Sequence, residues 1–304
     1  MSHKITLASD LHGNESQYPK LEAHLQENPP DSLLLGGDLA PKTGCSSIED
    51  FILMQRKFFL ERFPQFLRNA KEANPDMNIF AIMGNDDVGV NLDVLQKVDP
   101  ELAQIIHMTR AQLSDGYEIV GYPYVPPAHV SLADWFKWEM PEDEIPERFA
   151  KAQQNKVREQ PFGNIRTTMR KRFARKPVFG RERFFLDPRP DDQPFLRDDF
   201  RQAVFTRDPG KTVYLMHAPP YRTHLDHAGP GHRGSFAMRM FIEEHQPHVT
   251  LHGHLHGTVK RSGQFMDKIG DTVCIATGNT NKTDTIAIVE FDLEDPESAE
   301  RIIL

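Results

Sequence analysis

The sequence contains few cysteines, no long apolar run and no excess of positive charge. Its 304 residues include only two cysteines, Cys45 and Cys274, which lie too far apart to indicate a disulfide framework. No apolar stretch approaches the roughly 20 residues that span a bilayer, and no basic and apolar leader precedes Lys4. These absences predict a reduced, cytoplasmic protein without a membrane span.

The charge and composition narrow the class of protein further. The net charge of -8 argues against general affinity for nucleic acid, although a local patch can differ from the total. The apolar fraction of 38% and the charged fraction of 26% are those of a globular protein. No internal repeat or low-complexity tract is present. We therefore expect one domain over residues 1–304, long enough to bury a large core and to carry an insertion.

The sequence does contain a series of short apolar runs that end in polar side chains. The first, in "KITLASDLHGN", ends at Asp10 and His12, which as residues i and i+2 of an extended chain point the same way. Asn14 or Ser16 is placed to cap a helix that follows. Taken alone, the pair is more readily explained by a turn aspartate and a surface histidine. The rest of the chain has to decide.

Four later apolar runs end in the same manner. They are "SLLLGGD", ending at Asp38, "NIFAIMGNDD", ending at Asn85, Asp86 and Asp87, "TVYLMH", ending at His217, and "HVTLHGHLH", ending at His252, His254 and His256. Helical patterns lie between them, including one over residues 47–73 that Pro64 should break or kink. Strands that alternate with helices predict an α/β architecture with ligands beyond the carboxyl ends of the strands.

Two further strands are predicted near the end of the chain. The runs "DTVCIATG" and "DTIAIVEFDL" follow one another with only a short loop between them. This spacing is typical of antiparallel neighbours. We therefore expect a second, mixed sheet in the C-terminal part.

The residue types at the strand ends point to a metal centre. Carboxylate, imidazole and amide oxygen together suit Mn, Fe, Co, Ni or Zn, whereas Ca would need oxygen ligands. Two such ions, roughly 3.5–4 Å apart, can share one carboxylate, hold a hydroxide and clamp a phosphoryl group for in-line attack. Nine of the 14 histidines lie from His217 to His256. The candidate metal ligands are Asp10, His12, Asp38, Asn85, His217, His254 and His256.

The ordered motifs "SDLHGN", "GGD", "GND", "MHAPP" and "HGHLH" resemble those of the calcineurin-like metallophosphoesterases, over residues 5 to about 257. The resemblance implies a four-layer α/β/β/α sandwich of two mixed sheets and a centre of two divalent metals, with Mn favoured. One metal would be held by Asp10, His12, Asp38 and His256, and the other by Asp38, Asn85, His217 and His254. Asp38 would bridge them, and His252 would support the site or pack within its strand.

The sequence departs from the family pattern at Asp86, where many members have the histidine that protonates the leaving oxygen. An ionised aspartate cannot donate a proton, and two nearby dications would favour the ionised form. Asp86 is then an acceptor beside the metals, with Asp87 orienting a neighbouring ligand. Members without this histidine resemble the phosphodiesterase-type branch more than the protein phosphatases. We therefore expect a metal-dependent phosphodiesterase.

A histidine from elsewhere could replace the missing acid, and the segment "YRTHLDHAGPGHRGS" is the place to look. It resembles a stretch of a bacterial branch of these phosphoesterases and follows His217 closely. His232 or His224 is the candidate proton donor, although each is equally explained as an exposed loop residue. Arg222 and Arg233 are candidates for binding the phosphate oxygens.

The region from about residue 123 to 211 is expected to be an inserted cap or long ordered loop, because it is rich in charges and prolines. Its segment 166–183 holds eight Lys or Arg and one Glu. This segment is either an electropositive wall that attracts phosphorylated substrates or a solvated helix face.

Several functions remain open at this point. The favoured substrate is a phosphorylated small molecule, a nucleotide-like or lipid-derived diester. The alternatives are a phosphomonoesterase or protein phosphatase, a nuclease if the basic segment lines a nucleic-acid path, and a non-catalytic metal-binding scaffold like the retromer subunit that is similar to these enzymes. Nothing in the sequence indicates the oligomeric state.

Overall fold

The computed structural model describes residues 2–42, 47–127, 134–150, 194–228 and 231–304. The strands of these residues are β1 (Lys4–Ala8), β2 (Ser32–Leu35), β3 (Asn78–Ala81), β4 (Gln104–Ile105), β5 (Arg110–Ser114), β6 (Tyr117–Tyr122), β7 (Thr212–Met216), β8 (His227–Ala228), β9 (Gly231–His232), β10 (Val249–His252), β11 (Met266–Ile269), β12 (Thr272–Ala276), β13 (Ala287–Asp292) and β14 (Asp295–Ile303). The α-helices are Gln17–Glu27, Ile48–Lys57, Phe63–Ala73, Leu92–Leu95, Leu196–Phe200, Ala203–Thr206, Phe236–His245 and Thr258–Ser262.

The strands form two six-stranded mixed sheets and one small hairpin. The first sheet has the order β14-β13-β1-β2-β3-β4 and the second the order β11-β12-β10-β7-β6-β5, while β8 pairs with β9. The central strands β1, β2 and β3 are parallel in the first sheet, and β6, β7, β10 and β12 are parallel in the second. Because parallel strands end at the same edge, the five runs with polar endings deliver their side chains to one end of each sheet.

Successive side chains of a strand point to opposite faces of its sheet, and this alternation explains the four layers of the fold. Leu34 of β2 lies buried between the two sheets, whereas its neighbours Leu33 and Leu35 pack against the helices Gln17–Glu27 and Phe63–Ala73. In β7, Leu215 faces the space between the sheets and Tyr214 packs toward the helix Phe236–His245. Strands that are apolar on both faces need cover on both faces. The predicted four-layer α/β/β/α arrangement is confirmed.

One expectation about strand pairing is wrong. β12 and β13 do not pair with each other: β12 lies in the second sheet beside β10 and β11, and β13 lies in the first sheet between β1 and β14. Each has an antiparallel neighbour, but the loop between them crosses from one sheet to the other. A short connection suggests a hairpin, and only the packing of the two sheets shows that this one is a crossover.

The predicted interruption near Pro64 is confirmed. A π-helical segment, Phe58–Arg62, separates the helix Ile48–Lys57 from the helix Phe63–Ala73. Proline has no backbone N–H to donate to the preceding turn, so the regular hydrogen-bond pattern cannot continue through it. Phe59, Phe63 and Phe66 are nevertheless all buried on the face toward the first sheet, so the helix changes its winding without losing its apolar face.

Most of the described apolar residues of the expected inserted region pack onto the second sheet, whereas Trp135 packs in the cluster of the first sheet. Phe136, Met140, Phe149 and Phe200 are buried in the same hydrophobic cluster as Tyr214. The basic segment 166–183 and Cys45 lie outside the described residues. Cys274 is buried as a free thiol. Within the described residues, no helix combines the length and the apolar character that crossing a membrane requires.

Candidate metal centre

The loops that follow β1, β2, β7 and β10 are tied together by backbone hydrogen bonds. The N–H of Asp10 donates to Gly37 O at 3.0 Å and the N–H of His12 donates to Asp38 O at 2.8 Å, which joins the two loops of the first sheet. In the second sheet, the N–H of Gly253 donates to His217 O at 2.9 Å. The polar ends of these strands are therefore fixed relative to one another before any side chain is considered.

Four of the candidate ligands have left-handed backbone conformations. The φ angles are 59° at Asp10, 47° at His12, 53° at Asp38 and 67° at His254. Residues with a Cβ seldom adopt such angles because the side chain crowds the backbone. Strain of this kind is concentrated at functional sites, where the surrounding structure holds it in place.

The structure brings together the four residues that the resemblance assigned to the first metal. Asp10, His12, Asp38 and His256 each offer one ligand atom, and these atoms lie within 4.8 Å of one another. Nε2 of His256 lies 3.0 Å from Nε2 of His12 and 3.5 Å from Oδ1 of Asp10. Nε2 of His12 lies 3.6 Å from Oδ2 of Asp38.

The residues assigned to the second metal also converge. Oδ1 of Asn85 lies 3.1 Å from Nε2 of His217 and 2.5 Å from Nδ1 of His254. Nε2 of His217 is also 3.4 Å from Oδ2 of Asp38. Oδ2 of Asp38 thus faces both His12 and His217. The other oxygen of this carboxylate, Oδ1, accepts the N–H of Asp86 at 2.7 Å.

The charge states suit a cation. Burial lowers the pKa of His12 and that of His254 to about 3, so both imidazoles are neutral and keep a lone pair. Burial would raise the pKa of Asp38, but the neighbouring His217 and His12 hold it well below its ordinary value. Burial would lower the pKa of His217, but the charge of Asp38 outweighs this and raises it to about 9.

Carboxylate oxygens, an amide oxygen and imidazole nitrogens thus face one another at the centre. Lone pairs packed against lone pairs repel unless protons or cations lie between them. His217 donates from Nδ1 to Gly36 O at 2.8 Å, which leaves Nε2 as the atom that faces Asp38 and Asn85. The arrangement fits divalent metal ions, and binding one would displace the proton that His217 otherwise retains.

Buried polar groups support the centre from behind. The carboxylate of Asp87 accepts the N–H groups of Leu39, Ala40 and Gly84 at 2.8–3.1 Å, and so joins the loop after β2 to the loop after β3. This contact matches the expectation that Asp87 orients neighbouring groups. His252 is buried and donates from Nδ1 to Ala218 O at 2.8 Å, close to His217.

Sequence reasoning missed two residues at this site. The buried amide of Asn279 donates to the carbonyls of Ser9 and Asp10 at 3.1 and 3.2 Å, and so holds the end of β1. Nζ of Lys42 lies 2.5 Å from Oδ2 of Asp86. Asn279 closely follows β12, as Asn85 follows β3, so its strand-end position is the signal that could have found it. Lys42 belongs to no such pattern.

Asp86 accepts hydrogen bonds in the structure. It accepts from Lys42 and from the side-chain amide of Asn85 at 3.1 Å, and Nδ1 of His12 lies 3.8 Å away. Burial raises the pKa of Asp86 to about 6, and the charge of Asp38 adds to this effect while Lys42 opposes it. Lys42 thus brings a positive charge to the position where the family pattern has a histidine.

The loop after β7 places its candidate residues differently. His224 is 55% exposed and its Nδ1 lies 3.0 Å from Asp267. His232 is less exposed, and its Nδ1 lies 2.6 Å from the fully buried Asp226. Arg222 is exposed beside the ring of Tyr221, and Arg233 is partly buried. None of these four side chains is within the cluster of metal-ligand atoms.

Comparisons with known proteins agree with this geometry. The family model described as calcineurin-like phosphoesterase matches residues 3–258. No curated protein sequence matches the chain. One solved crystal structure is similar with a TM-score of 0.57 and 16% identity, over 100% of this chain and 99% of the other. The protein TT1561 of Thermus thermophilus is similar with a TM-score of 0.51 and 16% identity, over 99% of both chains.

A third structure, an archaeal phosphodiesterase, has 12% identity over 99% of both chains, but its TM-score of 0.42 is too low to argue from. The first two likenesses support the fold alone. The family match extends from β1 to the residues just after His256 and includes every strand end of the candidate centre. The chain therefore belongs to the calcineurin-like phosphoesterases, a family of metal-dependent phosphoester hydrolases.

Proposed function

We propose that the protein is a phosphodiesterase that holds two divalent metal ions, Mn²⁺ being favoured. One ion would be held by Asp10, His12, Asp38 and His256, and the other by Asp38, Asn85, His217 and His254. When bound, such ions lower the pKa of water and stabilise the negative charge of a phosphoryl group during in-line attack.

The observation that carries this proposal is the position of Asp38. One of its carboxylate oxygens faces His12 at 3.6 Å and His217 at 3.4 Å, and these two histidines belong to the two different ligand sets. A carboxylate in this position can be shared by two cations. The backbone N–H of Asp86 holds the other oxygen and so fixes the orientation of the carboxylate.

The side chains around the metals would handle the charge of the substrate. Lys42 is placed beside Asp86 to attract a phosphoryl oxygen and to offset its charge as the transition state forms. Asp86 is an acceptor and has no proton to give when ionised. A histidine of the loop after β7 is then the source of the proton for the departing oxygen.

The preference for a diester follows from the same residues. A monoester dianion carries more negative charge than a diester monoanion, so the acidic Asp86 repels it more strongly. The absence of histidine at this position is also the feature by which the sequence resembles phosphodiesterases rather than protein phosphatases.

The test is hydrolysis of bis(4-nitrophenyl) phosphate and of 4-nitrophenyl phosphate by the protein after metal removal and reloading with Mn²⁺. The expected result is Mn²⁺-dependent cleavage that favours the diester and is lost in Asp38→Ala. Preference for the monoester would favour a phosphomonoesterase. Two bound metals per chain without cleavage of either compound would contradict the proposal and favour a binding role.

A further inference from the structure

The loop after β7 is organised around one buried carboxylate. Asp226 has no exposed surface. Its Oδ2 accepts the N–H groups of Arg222 at 3.1 Å and Gly234 at 2.9 Å, and its Oδ1 accepts the N–H of Thr223 at 3.0 Å. The loop is thus folded back on itself, with residues on both sides of the β8–β9 hairpin bound to the same side chain.

Asp226 also contacts His232. Nδ1 of His232 lies 2.6 Å from Oδ1 of Asp226, a distance that requires Nδ1 to carry the hydrogen and donate it. Nε2 therefore points away from the carboxylate.

The hairpin that carries His232 is linked through Arg261 to the backbone of His256, one of the candidate metal ligands. His232 is paired with His227 across the hairpin, and their ring centroids are 4.4 Å apart. A single guanidinium nitrogen of Arg261 lies within 3.5 Å of both the carbonyl oxygen of His227 and that of His256. The hairpin is thus joined through one side chain to a residue of the candidate centre.

His224 is arranged differently, although it lies in the same loop. It is 55% exposed, whereas His232 is 29% exposed. Both its backbone N–H and its Nδ1 contact Asp267, a residue of β11 at the edge of the second sheet. Its partner therefore holds it at the sheet edge rather than on the hairpin.

We propose that His232 is the catalytic residue that protonates the leaving oxygen, and that Asp226 is the positioning residue that fixes its orientation. This inference rests on the proposed function. In the step, a water oxygen forms a bond to phosphorus and releases one proton to solvent, while the bond to the leaving oxygen breaks. The proton on Nε2 passes to that leaving oxygen, and neutral His232 regains a proton from solvent.

The experiment compares two diesters, methyl 4-nitrophenyl phosphate and methyl phenyl phosphate, with the Mn²⁺-loaded protein. Phenoxide is the more basic leaving group and depends more on an acid. His232→Gln should lose about 100-fold in kcat with the phenyl ester and far less with the nitrophenyl ester. Asp226→Asn should also lose more kcat with the phenyl ester than with the nitrophenyl ester, but by a smaller factor. His245→Gln, on the outer helix Phe236–His245, is the matched control.

A second measurement does not depend on turnover. In the zinc-loaded protein, long-range proton–nitrogen NMR spectra report which ring nitrogen of His232 carries hydrogen. Wild type should have hydrogen on Nδ1, and Asp226→Asn should reduce the fraction of rings with hydrogen on that nitrogen. Metal content should stay the same in wild type, His232→Gln and Asp226→Asn, because the metal-ligand atoms are unchanged.

The outcomes separate this inference from the proposed function. If wild type cleaves diesters but His232→Gln loses the same factor with both esters, or if His224→Gln instead loses more kcat with the phenyl ester, the assignment of His232 is wrong and the proposed function stands. If wild type cleaves neither ester, both fail together. A ring with hydrogen only on Nε2 would also overturn the role of Asp226, even if Asp226→Asn fails to fold.

Discussion

The metal centre and the loop after β7 are each held by a buried aspartate that accepts backbone N–H groups, but the side chains that they position differ. In the centre, buried Asp87 accepts three backbone N–H groups and joins the loops after β2 and β3. In the loop, buried Asp226 accepts three backbone N–H groups and joins the two sides of the hairpin. Both carboxylates satisfy backbone groups that would otherwise be costly to bury.

The two regions differ in what the fixed backbone presents. Around Asp87 the fixed loops carry Asp38 and Asn85. One oxygen of each of these side chains faces Nε2 of His217 within a buried cluster. Around Asp226 the fixed loop orients His232, whose side chain is 29% exposed. The comparison indicates that the centre is built to bind cations and that the loop is built to orient one histidine ring.

The largest effect is expected at the residue shared by both ligand sets. Asp38→Asn removes the charge but keeps the shape, so the protein should fold yet bind metal weakly. A loss of roughly 4 kcal/mol of charge stabilisation in the transition state corresponds to about 1,000-fold in kcat/KM. Metal analysis and diester hydrolysis measure both effects. Asp93→Asn, on the exposed surface, is the control, and an active Asp38→Asn would contradict the shared-ligand assignment.

Two glycines test how tightly each region is packed. A Cβ on Gly84 would lie 2.3 Å from Oδ1 of Asp38 and 2.5 Å from Cε1 of His217, whereas a Cβ on Gly231 would meet nothing within 4 Å. Gly84→Ala should therefore displace the ligands and lower metal affinity. Gly231→Ala should keep it. Metal titration of both variants measures the difference, and equal affinities would show that the centre is more adaptable than its packing indicates.

The two buried aspartates can be compared directly. Asp87→Asn replaces one accepting oxygen by a donor that faces backbone N–H groups, and should weaken metal binding by about 10–100-fold, as is usual for residues that orient ligands. Asp226→Asn should leave metal affinity unchanged, because its contacts lie within the loop after β7. Calorimetric titration with Mn²⁺ measures both, and a loss of affinity in Asp226→Asn would mean that the two regions are coupled.

Much of the fold and of the centre could be predicted from the sequence because the informative residues are local. Each candidate ligand directly follows an apolar strand, so strand, turn and ligand are read from about ten consecutive residues. The resemblance to a family then supplied the grouping of these ligands, which spacing alone could not. The structure adds the closeness of their atoms and the left-handed backbone at Asp10, His12 and Asp38.

The remaining features depend on contacts between distant parts of the chain. Asn279 donates to the carbonyl groups of Ser9 and Asp10, which lie 270 and 269 residues before it in the sequence. Nothing near Asn279 in the sequence indicates that these residues are its partners. The sequence predicts antiparallel pairing of β12 and β13, but the two strands lie in different sheets. A loop of this length permits both a hairpin and a crossover between sheets. The role of Asp226 depends on backbone N–H groups on both sides of the hairpin, and the loop sequence does not show that these fold onto one side chain.

The smallest expected effect is at Lys42, beside Asp86 in the metal centre. Lys42→Met removes the cation beside Asp86, and a lost charged hydrogen bond to a phosphoryl oxygen should weaken inhibition by inorganic phosphate by about 10-fold. Metal content should not change. Lys268→Met, which breaks an exposed ion pair with Glu297, is the matched control. An unchanged inhibition constant would mean that Lys42 only neutralises Asp86, and the charge offered to the substrate would then come from the metals alone.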